Sequence, residues 1–568
     1  MNKKYIFSLL SLAVTPAFAQ MDNTVEVETS VTPIVKDANK INVLPQVVES
    51  ESDHISVNYS TKVIKTKKYS FTPVDLMGSE TPGDGAGKGF LSLGGGVCGN
   101  LDIHGAYGFN LSKNDVLGLR FSVDGFSSGN KIPKDIFANS STASTMDYKT
   151  KSRFYTTRGG VDYTHKYAKG LSEFFIKFGL ESQVFNYQLP TNSNFVTDKQ
   201  HNSLGGISIG STDYQSNSFR ICGDFGFDFF NQKYLTNQDK KCSESQVHFN
   251  LDLGVILNEE NSINVDFGMN NSSYGMSQYD SYTHAHILSY YRFEDYDFSV
   301  KAGLFIGAGG LAPDVRFTYH PSESFDVYAN VVGYETENDF RAFNALNPYA
   351  LMEKVDDAAP KVKVKPEFHQ IDIKGGIRFR SESGFAGDIN LGYDKSKNRA
   401  ELTSLYYNSP NAIIATVDGS RFYVNADFVY NCKDAFKIDL RNQFNAWSVD
   451  KDFKNGIAIS RPAVDLDWNF DARISHGFFA GADIKIQSFS NAGKVTVMTS
   501  SKPSSESVIK TYNRPTMFDF GLTGHYVFDN IPLSIYANVD NLFNCKYDRF
   551  YGYRNVGINF IVGAAYTF

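Results

Sequence analysis

Hydrophobic and polar residues alternate along most of this chain from residue 89 onward. In VHFNLDLGVIL, residues 247–257, one face is apolar throughout, and the other carries His248, Asn250, Asp252 and Gly254. An apolar spacing of two predicts a β-strand, because an amphipathic helix needs spacings of three and four. Strands of soluble proteins average five or six residues, whereas membrane-spanning strands need about nine to eleven. The long alternation therefore predicts a transmembrane β-barrel rather than a secreted sandwich or propeller.

A second segment, AVDLDWNFDARIS at 463–475, shows the same pattern with more charge. Its polar face carries Asp465, Asp467, Asn469, Asp471, Arg473 and Ser475. In a barrel whose outer face meets lipid, the polar face of each strand lines the lumen. The candidates for lumen-lining residues are therefore Asp465, Asp467, Asp471, Arg473, His248, Asn250 and Asp252. The charged residues of this segment, Asp465, Asp467, Asp471 and Arg473, form either a path for a cationic or polar solute or ordinary ion pairs that fill the lumen.

Short and long connections alternate between the predicted strands. Tight turns are predicted at 112–115, 168–170, 258–261, 294–297, 322–324, 382–384, 432–434, 475–477 and 529–532. Longer polar stretches lie at 127–150, 189–202, 232–243, 336–365, 396–418 and 491–514. This asymmetry is typical of an outer-membrane barrel with short periplasmic turns and long extracellular loops. The pattern predicts an all-β fold, a single antiparallel barrel of about 22 strands and of even number. Weak alternation at 203–220 and 396–418 makes that count uncertain by two or four.

The N-terminal part of the chain differs from the rest. Lys3 and Lys4 precede an apolar core, and Ala17 and Ala19 stand on either side of Phe18 just before a cleavage site between Ala19 and Gln20. This pattern predicts a Sec signal peptide at 1–19, and hence export toward the outer membrane of a Gram-negative cell. Residues 20–87 contain few aromatics and several prolines and acids, which predicts an extended periplasmic or lumen-filling segment. The barrel is predicted to occupy 88–568.

Composition narrows the function. Aromatic residues make up 14% and charged residues 21% of the chain, a mixture that suits a barrel with a wet lumen. The net charge of −7 argues against nucleic-acid binding. The five cysteines lack metal-binding spacing, although Cys222 and Cys242 have the option of pairing across a loop. His284 and His286 share a strand face, but two histidines alone favour a polar pair over a metal site. The sequence predicts no cofactor, no metal site and no enzymatic activity.

The C-terminal residues carry a family resemblance. In VDNLFNCKYDRFYGYRNVGINFIVGAAYTF, the residues Asn541, Leu542, Phe543 and Tyr547, then Gly557, Phe560, Tyr566 and Phe568, stand in a recurring order. The segment resembles the ending of TonB-dependent receptors, outer-membrane barrels of solute uptake. The segment 100–129 and the stretch VEVETSVTPIVKDANKINVLP are also similar to receptor-like barrels of Bacteroidota type.

The resemblance implies a receptor or transport barrel for solute capture or passage. Family members carry a plug domain before the barrel, whereas residues 20–87 are too few for a globular plug, so the chain is expected to lack one. NTVEVE, residues 23–28, is the nearest candidate for a TonB box. The alternative is a structural or assembly barrel that docks partner proteins. Expected partners are outer-membrane lipid, the barrel-assembly machinery and a separate plug, lipoprotein or TonB-type protein.

An open lumen of about 22 strands would leak, because even 16 to 18 strands hold an aqueous channel. The lumen is therefore expected to be closed by residues 20–87, by inward loops or by a partner. The last strand is expected to place Phe560, Val562, Ala564, Tyr566 and Phe568 toward lipid, with Ile561 as the one apolar misfit on the lumen face. Phe560, Tyr566 and Phe568 are predicted to form the C-terminal insertion signal that the assembly machinery recognises.

Overall fold

The computed structural model describes residues 89–131, 149–167, 173–186, 199–215, 218–235, 239–275, 279–350, 363–404, 412–432, 435–450, 457–458, 461–489, 494–497, 508–511, 515–550 and 553–568. The predicted signal peptide (1–19), the segment 20–87 and the TonB-box candidate at 23–28 lie outside the described residues. No helix within the described ranges combines the length and the apolar character needed to cross a membrane.

The described residues form 27 strands, a 3-10 turn at Val97–Gly99 and one short helix, α1, at Phe340–Leu346. The strands are β1 (Gly89–Gly96), β2 (Leu101–Asn110), β3 (Asp115–Lys131), β4 (Lys149–Lys166), β5 (Glu173–Asn186), β6 (Lys199–Gln215), β7 (Phe219–Leu235), β8 (Asp239–Ile256), β9 (Asn261–Tyr274), β10 (Tyr282–Glu294), β11 (Phe298–Gly307), β12 (Gly310–Ser322), β13 (Phe325–Thr336), β14 (Glu367–Arg380), β15 (Phe385–Ser404), β16 (Ala412–Cys432), β17 (Phe436–Val449), β18 (Ile457–Ala458), β19 (Val464–Ser475), β20 (Phe478–Ser488), β21 (Lys494–Val497), β22 (Val508–Thr511), β23 (Met517–Val527), β24 (Leu533–Asp540), β25 (Asp548–Phe550), β26 (Tyr553–Arg554) and β27 (Asn559–Thr567).

Of these strands, 22 form one closed antiparallel barrel. Strands β1 to β17, β19, β20, β23, β24 and β27 follow one another around the ring, and β27 pairs with β1. The short β18 pairs with the end of β15, while β21–β22 and β25–β26 form two separate hairpins. The predicted fold class, a single antiparallel barrel with about 22 strands, is confirmed.

The two ends of the barrel differ as the connection lengths predict. The strand ends that flank the predicted tight turns all lie at one end, here called the turn end, together with Phe568. The opposite end, the loop end, carries the longer connections, including the one between β13 and β14. Three connections at the loop end are short, namely the 3-10 turn between β1 and β2, the three residues between β7 and β8 and the tight hairpin between β11 and β12.

The stretches with weak alternation contain barrel strands. Strands β6 and β7 run through 203–220, and β15 and β16 account for most of 396–418. With 20 and 21 residues, β15 and β16 are about twice as long as a membrane crossing requires. Because a crossing uses only about ten residues, we expect the loop-end halves of both strands to extend beyond the hydrocarbon, where no apolar face is needed and the alternation fades. The loops predicted at 127–150, 232–243 and 396–418 are therefore shorter than expected.

The outer surface of the barrel is apolar, as the alternation predicts. On β8, Leu253 and Val255 are 43% and 55% exposed, whereas the preceding residue, Asp252, points inward to Arg220. On β27, Phe560, Val562 and Tyr566 are exposed in the same way. In water such a continuous apolar belt would be unfavourable, and lipid is the solvent that suits it.

The five cysteines are free thiols. In the pairing of β7 with β8, Cys222 lies opposite Asp252, whereas Cys242 lies opposite Gln232. The two thiols therefore lie at opposite ends of the same strand pair, too far apart to form the disulfide that the sequence left open.

The barrel closes where its two terminal strands meet. Backbone hydrogen bonds of 3.0 Å join Gly89 and Phe568 in both directions, and the Phe568 ring stacks on Tyr107. On the inside, the Tyr536 hydroxyl of β24 reaches past β27 and donates to the Asp102 carboxylate at 3.0 Å. Gly563 on β27 makes room for this side chain. The two terminal strands are thus joined by backbone hydrogen bonds, and the Tyr536 side chain bridges them on the lumen side.

Substitution of Gly563 by alanine is expected to destabilise this junction of the terminal strands. The new Cβ would lie 2.3 Å from Cζ of Tyr536, and overpacking of this kind costs about 1–3 kcal/mol. We expect the Gly563→Ala barrel to lose its folded mobility in SDS gels at a lower temperature than the wild type. The matched control is Gly159→Ala, whose Cβ would meet nothing within 4 Å. Equal losses in the two variants would contradict the role assigned to Tyr536.

Candidate functional site

The lumen candidates of β8 lie inside the barrel, and each has a polar partner. His248 lies between Asp224 and Asp228, with nitrogen–oxygen distances of 3.2 and 3.3 Å. The Asn250 amide donates to Asp224 at 3.2 Å. Asp252 accepts from the Arg220 guanidinium at 2.6 Å. This part of the wall is polar, and its charges are compensated locally.

The candidates of β19 line a different part of the wall, between β17 and β20 and far around the ring from β8. Asp465 accepts from the Gln487 amide at 3.1 Å, and Asp467 lies 3.9 Å from the Lys485 ammonium. Asp471 lies opposite Lys437 in the ladder, and the Arg473 guanidinium lies 5.7 Å from the centre of the Phe479 ring. A role of these residues as a solute path remains a prediction.

The C-terminal motif residues converge on one carboxylate. Asp519 of β23 accepts a hydrogen bond from the Asn541 backbone N–H at 2.8 Å and another from the Tyr547 hydroxyl. Asn541 has a positive φ of 48° and exchanges two hydrogen bonds with Cys545. The Leu542 N–H donates to the Phe520 carbonyl. Asn541 and Tyr547 therefore shape the tight connection that leaves β24.

Phe543, Gly557 and the closing aromatics have other surroundings. Phe543 is 62% exposed and stacks on Phe520. Gly557 has a positive φ of 88°, and a Cβ there would lie 2.6 Å from the Asn544 side chain. On the outer face of β27 the exposed rings are those of Phe560, Tyr566 and, beyond the strand, Phe568. Their role as an insertion signal remains a prediction.

A feature that the sequence did not single out dominates the loop end. The described residues of the connection between β13 and β14, 337–350 and 363–366 and here called the inward loop, fold into the lumen. Its helix α1 begins after Asp339, whose side chain accepts from the Ala342 N–H. Phe340 and Phe343 of α1 are 0% and 6% exposed. So deep a burial of aromatics from a connecting loop shows that the loop is part of the barrel interior.

The apolar contacts of the inward loop reach well across the ring. One buried cluster joins Phe340 and Phe343 to Leu204, Phe230 and Cys242 of β6, β7 and β8, and also to Ala400 of β15. Strand β15 lies seven to nine places farther along the ring than those three strands. Farther on, Tyr349 packs on Phe185, with ring centres 5.0 Å apart. The inward loop therefore obstructs the lumen at the loop end.

Polar contacts hold the inward loop to the strand walls. The Phe340 N–H donates to the Glu244 carboxylate at 2.7 Å, and Arg341 forms an ion pair with Asp228. Further hydrogen bonds run from Asn202 to the Asn344 side chain at 2.8 Å, from Gln232 to the Ala350 carbonyl at 3.1 Å and between His284 and Glu337 at 2.8 Å. These anchors lie on β6, β7, β8 and β10, so the loop has a defined position.

Charge also affects the inward loop. Burial raises the pKa of the Asp339 carboxyl to about 6, repulsion from Glu337 and Asp228 acts in the same direction, and Arg341 opposes both. An ionised Asp339 therefore costs the docked loop part of its stability. Asp339 is nevertheless retained at a position where its carboxylate caps the helix.

His284 and His286 do not form a metal centre with their surroundings. His284 is held by Glu337 of the inward loop, and His286 stacks on Phe305 with ring centres 5.4 Å apart. Within the described ranges, no group of three or more histidine, cysteine, aspartate or glutamate side chains has a geometry that could hold a metal ion. The interpretation of the two histidines as a polar pair remains a prediction.

The sequence of the inward loop carries a signal for its helix and for its burial. The segment DFRAFNALNPYA, residues 339–350, has an N-capping aspartate, apolar residues at helical spacing and a proline after the helix. A loop exposed to solvent does not need three aromatic side chains, Phe340, Phe343 and Tyr349, in and directly after such a helix. An amphipathic helix inside a long polar connection is the pattern that indicates an inward-folded loop.

Comparison with known proteins supports the fold. No family model and no curated protein matches the chain. Three solved structures are similar to this chain, each with a TM-score of 0.62. The siderophore receptor PirA from Acinetobacter baumannii is 11% identical over 84% of this chain and 80% of its own, and a ferric enterobactin receptor from Pseudomonas aeruginosa in complex with enterobactin is 12% identical over 84% of this chain and 81% of its own. The FrpB iron transporter from Neisseria meningitidis is 9% identical over 86% of this chain and 82% of its own. The resemblance to receptor barrels that the C-terminal residues suggested is thereby confirmed at the level of the fold.

Proposed function

We propose that this chain is an outer-membrane barrel that captures or passes a solute at the cell surface, as its resemblance to TonB-dependent receptors implies. The observation that carries the proposal is a closed barrel with a polar, charged lumen and an inward loop that narrows it. A scaffold that only holds partners has no need of such a lumen. The proteins of similar fold are receptors and transporters by name, which favours transport over catalysis.

The proposal extends to the parts of the chain outside the described residues. Residues 1–19 act as a Sec signal peptide that directs the chain to the outer membrane. Residues 20–87 provide an extended segment rather than a globular plug, and either enter the lumen or remain in the periplasm. The expected contacts are lipid, the barrel-assembly machinery and a plug, lipoprotein or TonB-type protein.

The inward loop explains how a wide barrel avoids leakage. A ring of 22 strands is wider than those of porins, which hold open aqueous channels with 16 to 18 strands. The aromatic side chains of the inward loop fill part of this space at the loop end, where a solute from outside arrives. Capture at the loop end followed by a controlled opening is the mechanism that this arrangement supports.

Deletion of the gene from its host tests the proposal. We expect the mutant cells to accumulate less of at least one solute, with iron, copper and labelled small organic molecules as the first probes. Expression of the intact chain in trans restores accumulation. Unchanged accumulation of all solutes, together with a stoichiometric partner in detergent extracts, would instead identify a docking scaffold.

A further inference from the structure

Three arginines surround one tryptophan at the loop end of the barrel interior. The indole is that of Trp447 on β17. The guanidinium carbons of Arg399, Arg421 and Arg461 lie 4.9, 5.1 and 5.6 Å from the centre of its ring. A single cation at this distance from an aromatic ring is common, and three around one ring repel one another.

The neighbouring carboxylates compensate two of the three arginines. Arg399 pairs with Glu401 at 3.0 Å. Arg461 approaches Glu401 at 3.5 Å and Glu367 at 3.8 Å. These contacts bind the network to β14 and β15 and leave Arg421 as the remaining cation.

Arg421 has no carboxylate at ion-pairing distance among the residues that the structure describes. Its neighbour in the ladder, Asp394, is engaged by His369 at 2.7 Å. The Arg421 side chain instead lies over Tyr423, with its guanidinium carbon 4.4 Å from the ring centre. One positive charge of this cluster is therefore not neutralised by a direct ion pair.

Two of the three guanidiniums also have a buried nitrogen without a hydrogen-bond partner in the described part of the chain. These atoms are Nη1 of Arg399 and Nε of Arg421, whereas Nε of Arg461 has only its 3.5 Å approach to Glu401. Buried cationic donors are costly when they are unpaired, because their interaction with water is lost. Two such donors beside a third guanidinium nitrogen that is paired only at 3.5 Å indicate that the cluster lacks an acceptor.

The cluster also has a fixed aromatic surface. The Trp447 indole N–H donates to the Pro462 carbonyl at 3.0 Å, which fixes the ring. Arg399 is 1% exposed, whereas the Arg461 side chain is 24% exposed and Arg421 and Trp447 are half-buried. Arg421, Arg461 and the ring face are thus the part that a solute in the lumen can reach, and Arg399 supports them from behind.

We propose that Arg421, Arg461 and Trp447 bind the carboxylate of a planar anionic solute. A guanidinium presents a planar pair of donors that matches a carboxylate, and an indole face stacks on a flat conjugated group. The site rests on the proposed function, because it gives the captured solute a chemical class. It lies at the loop end, where capture occurs.

Tryptophan fluorescence of the purified barrel tests the site. The chain has only two tryptophans. Trp468 lies on the outer face of β19, where its indole donates to Asn442, so Trp468→Phe leaves Trp447 as the only reporter. Benzoate is the probe, and its neutral isostere benzamide is the reference. In this background we expect benzoate to change the Trp447 emission saturably and benzamide to have no saturable effect.

Variants in the same background identify the residue that recognises charge. Arg421→Gln is expected to weaken benzoate binding about tenfold or more, since a charge-assisted hydrogen bond is lost. Arg421→Lys keeps the positive charge but lacks the paired donors of a guanidinium, and its affinity for benzoate is expected to lie between those of the wild type and Arg421→Gln. The matched control is Arg120→Gln, which removes an interior arginine that pairs with Asp162 at 3.0 Å. Folded mobility in SDS gels verifies that each variant forms the barrel.

Equal responses to benzoate and benzamide would overturn the proposal, as would an Arg421→Gln barrel that folds and binds benzoate as before. Inorganic phosphate binding as tightly as benzoate would contradict the preference for a planar anion. Because binding is measured in detergent without transport, its failure is distinguishable from the failure of the proposed function, which is read from solute accumulation in cells.

Discussion

Excision of residues 339–364, with an Asn-Gly turn joining Asn338 to Lys365, is expected to raise the single-channel conductance of the barrel several-fold. The Asn338 amide donates to the Lys365 carbonyl at 3.0 Å, so the two ends already lie side by side and a two-residue turn closes the hairpin. The excision removes Phe340 and Phe343, whose burial obstructs the lumen. Conductance in planar lipid bilayers measures the effect.

Two point variants separate the inward loop from a general loss of structure. Phe340→Ala removes a ring that is fully buried against Phe230 and Tyr274 and is expected to open the lumen in part. Phe543→Ala makes the same chemical change at a ring that is 62% exposed and is expected to leave conductance unchanged. A wild-type barrel with a large and steady conductance would show that the inward loop does not close it.

Deletion of Phe568 is expected to reduce the amount of barrel in the membrane far more than it reduces the conductance of each inserted barrel. The deletion removes both backbone hydrogen bonds to Gly89 and the stacking on Tyr107, which together close the ring at the turn end. It also removes the terminal aromatic that we expect the assembly machinery to recognise. Quantification of folded barrel in isolated outer membranes measures the loss.

Two substitutions separate recognition from closure. Phe568→Ala retains the backbone pairing with Gly89, so a deficit in this variant reports on the aromatic ring alone. Tyr296→Ala removes a ring that is 79% exposed at the same end of the barrel and is expected to have no effect on insertion. Equal membrane levels of the wild type and the Phe568 deletion would refute the role of the terminal residue.

The barrel itself was predictable because its information is local. Residues 247–257 alternate whether or not their neighbours are known, since one side of each strand meets lipid and the other meets water. The even number of strands follows from the alternation of short turns and long loops. The last strand was recognisable from its alternating apolar residues and its aromatic side chains. The same reasoning predicts the ends of β15 and β16 less accurately. These strands are longer than a membrane crossing requires, so we expect no lipid to face their loop-end halves and no alternation to mark them.

The two candidate sites depend on contacts between residues that are far apart in the chain. Arg399, Arg421, Trp447 and Arg461 come from three strands and a loop, and only the ladder of β15, β16 and β17 brings them around one ring. The position of the inward loop likewise depends on Phe230, Glu244 and Ala400, which are distant in sequence from Phe340. By itself the sequence therefore determined the fold class and the orientation of strand faces, because alternation is a local response to lipid and water. Only the tertiary structure decided what fills the lumen and where the charges meet, because both depend on the closure of the ring.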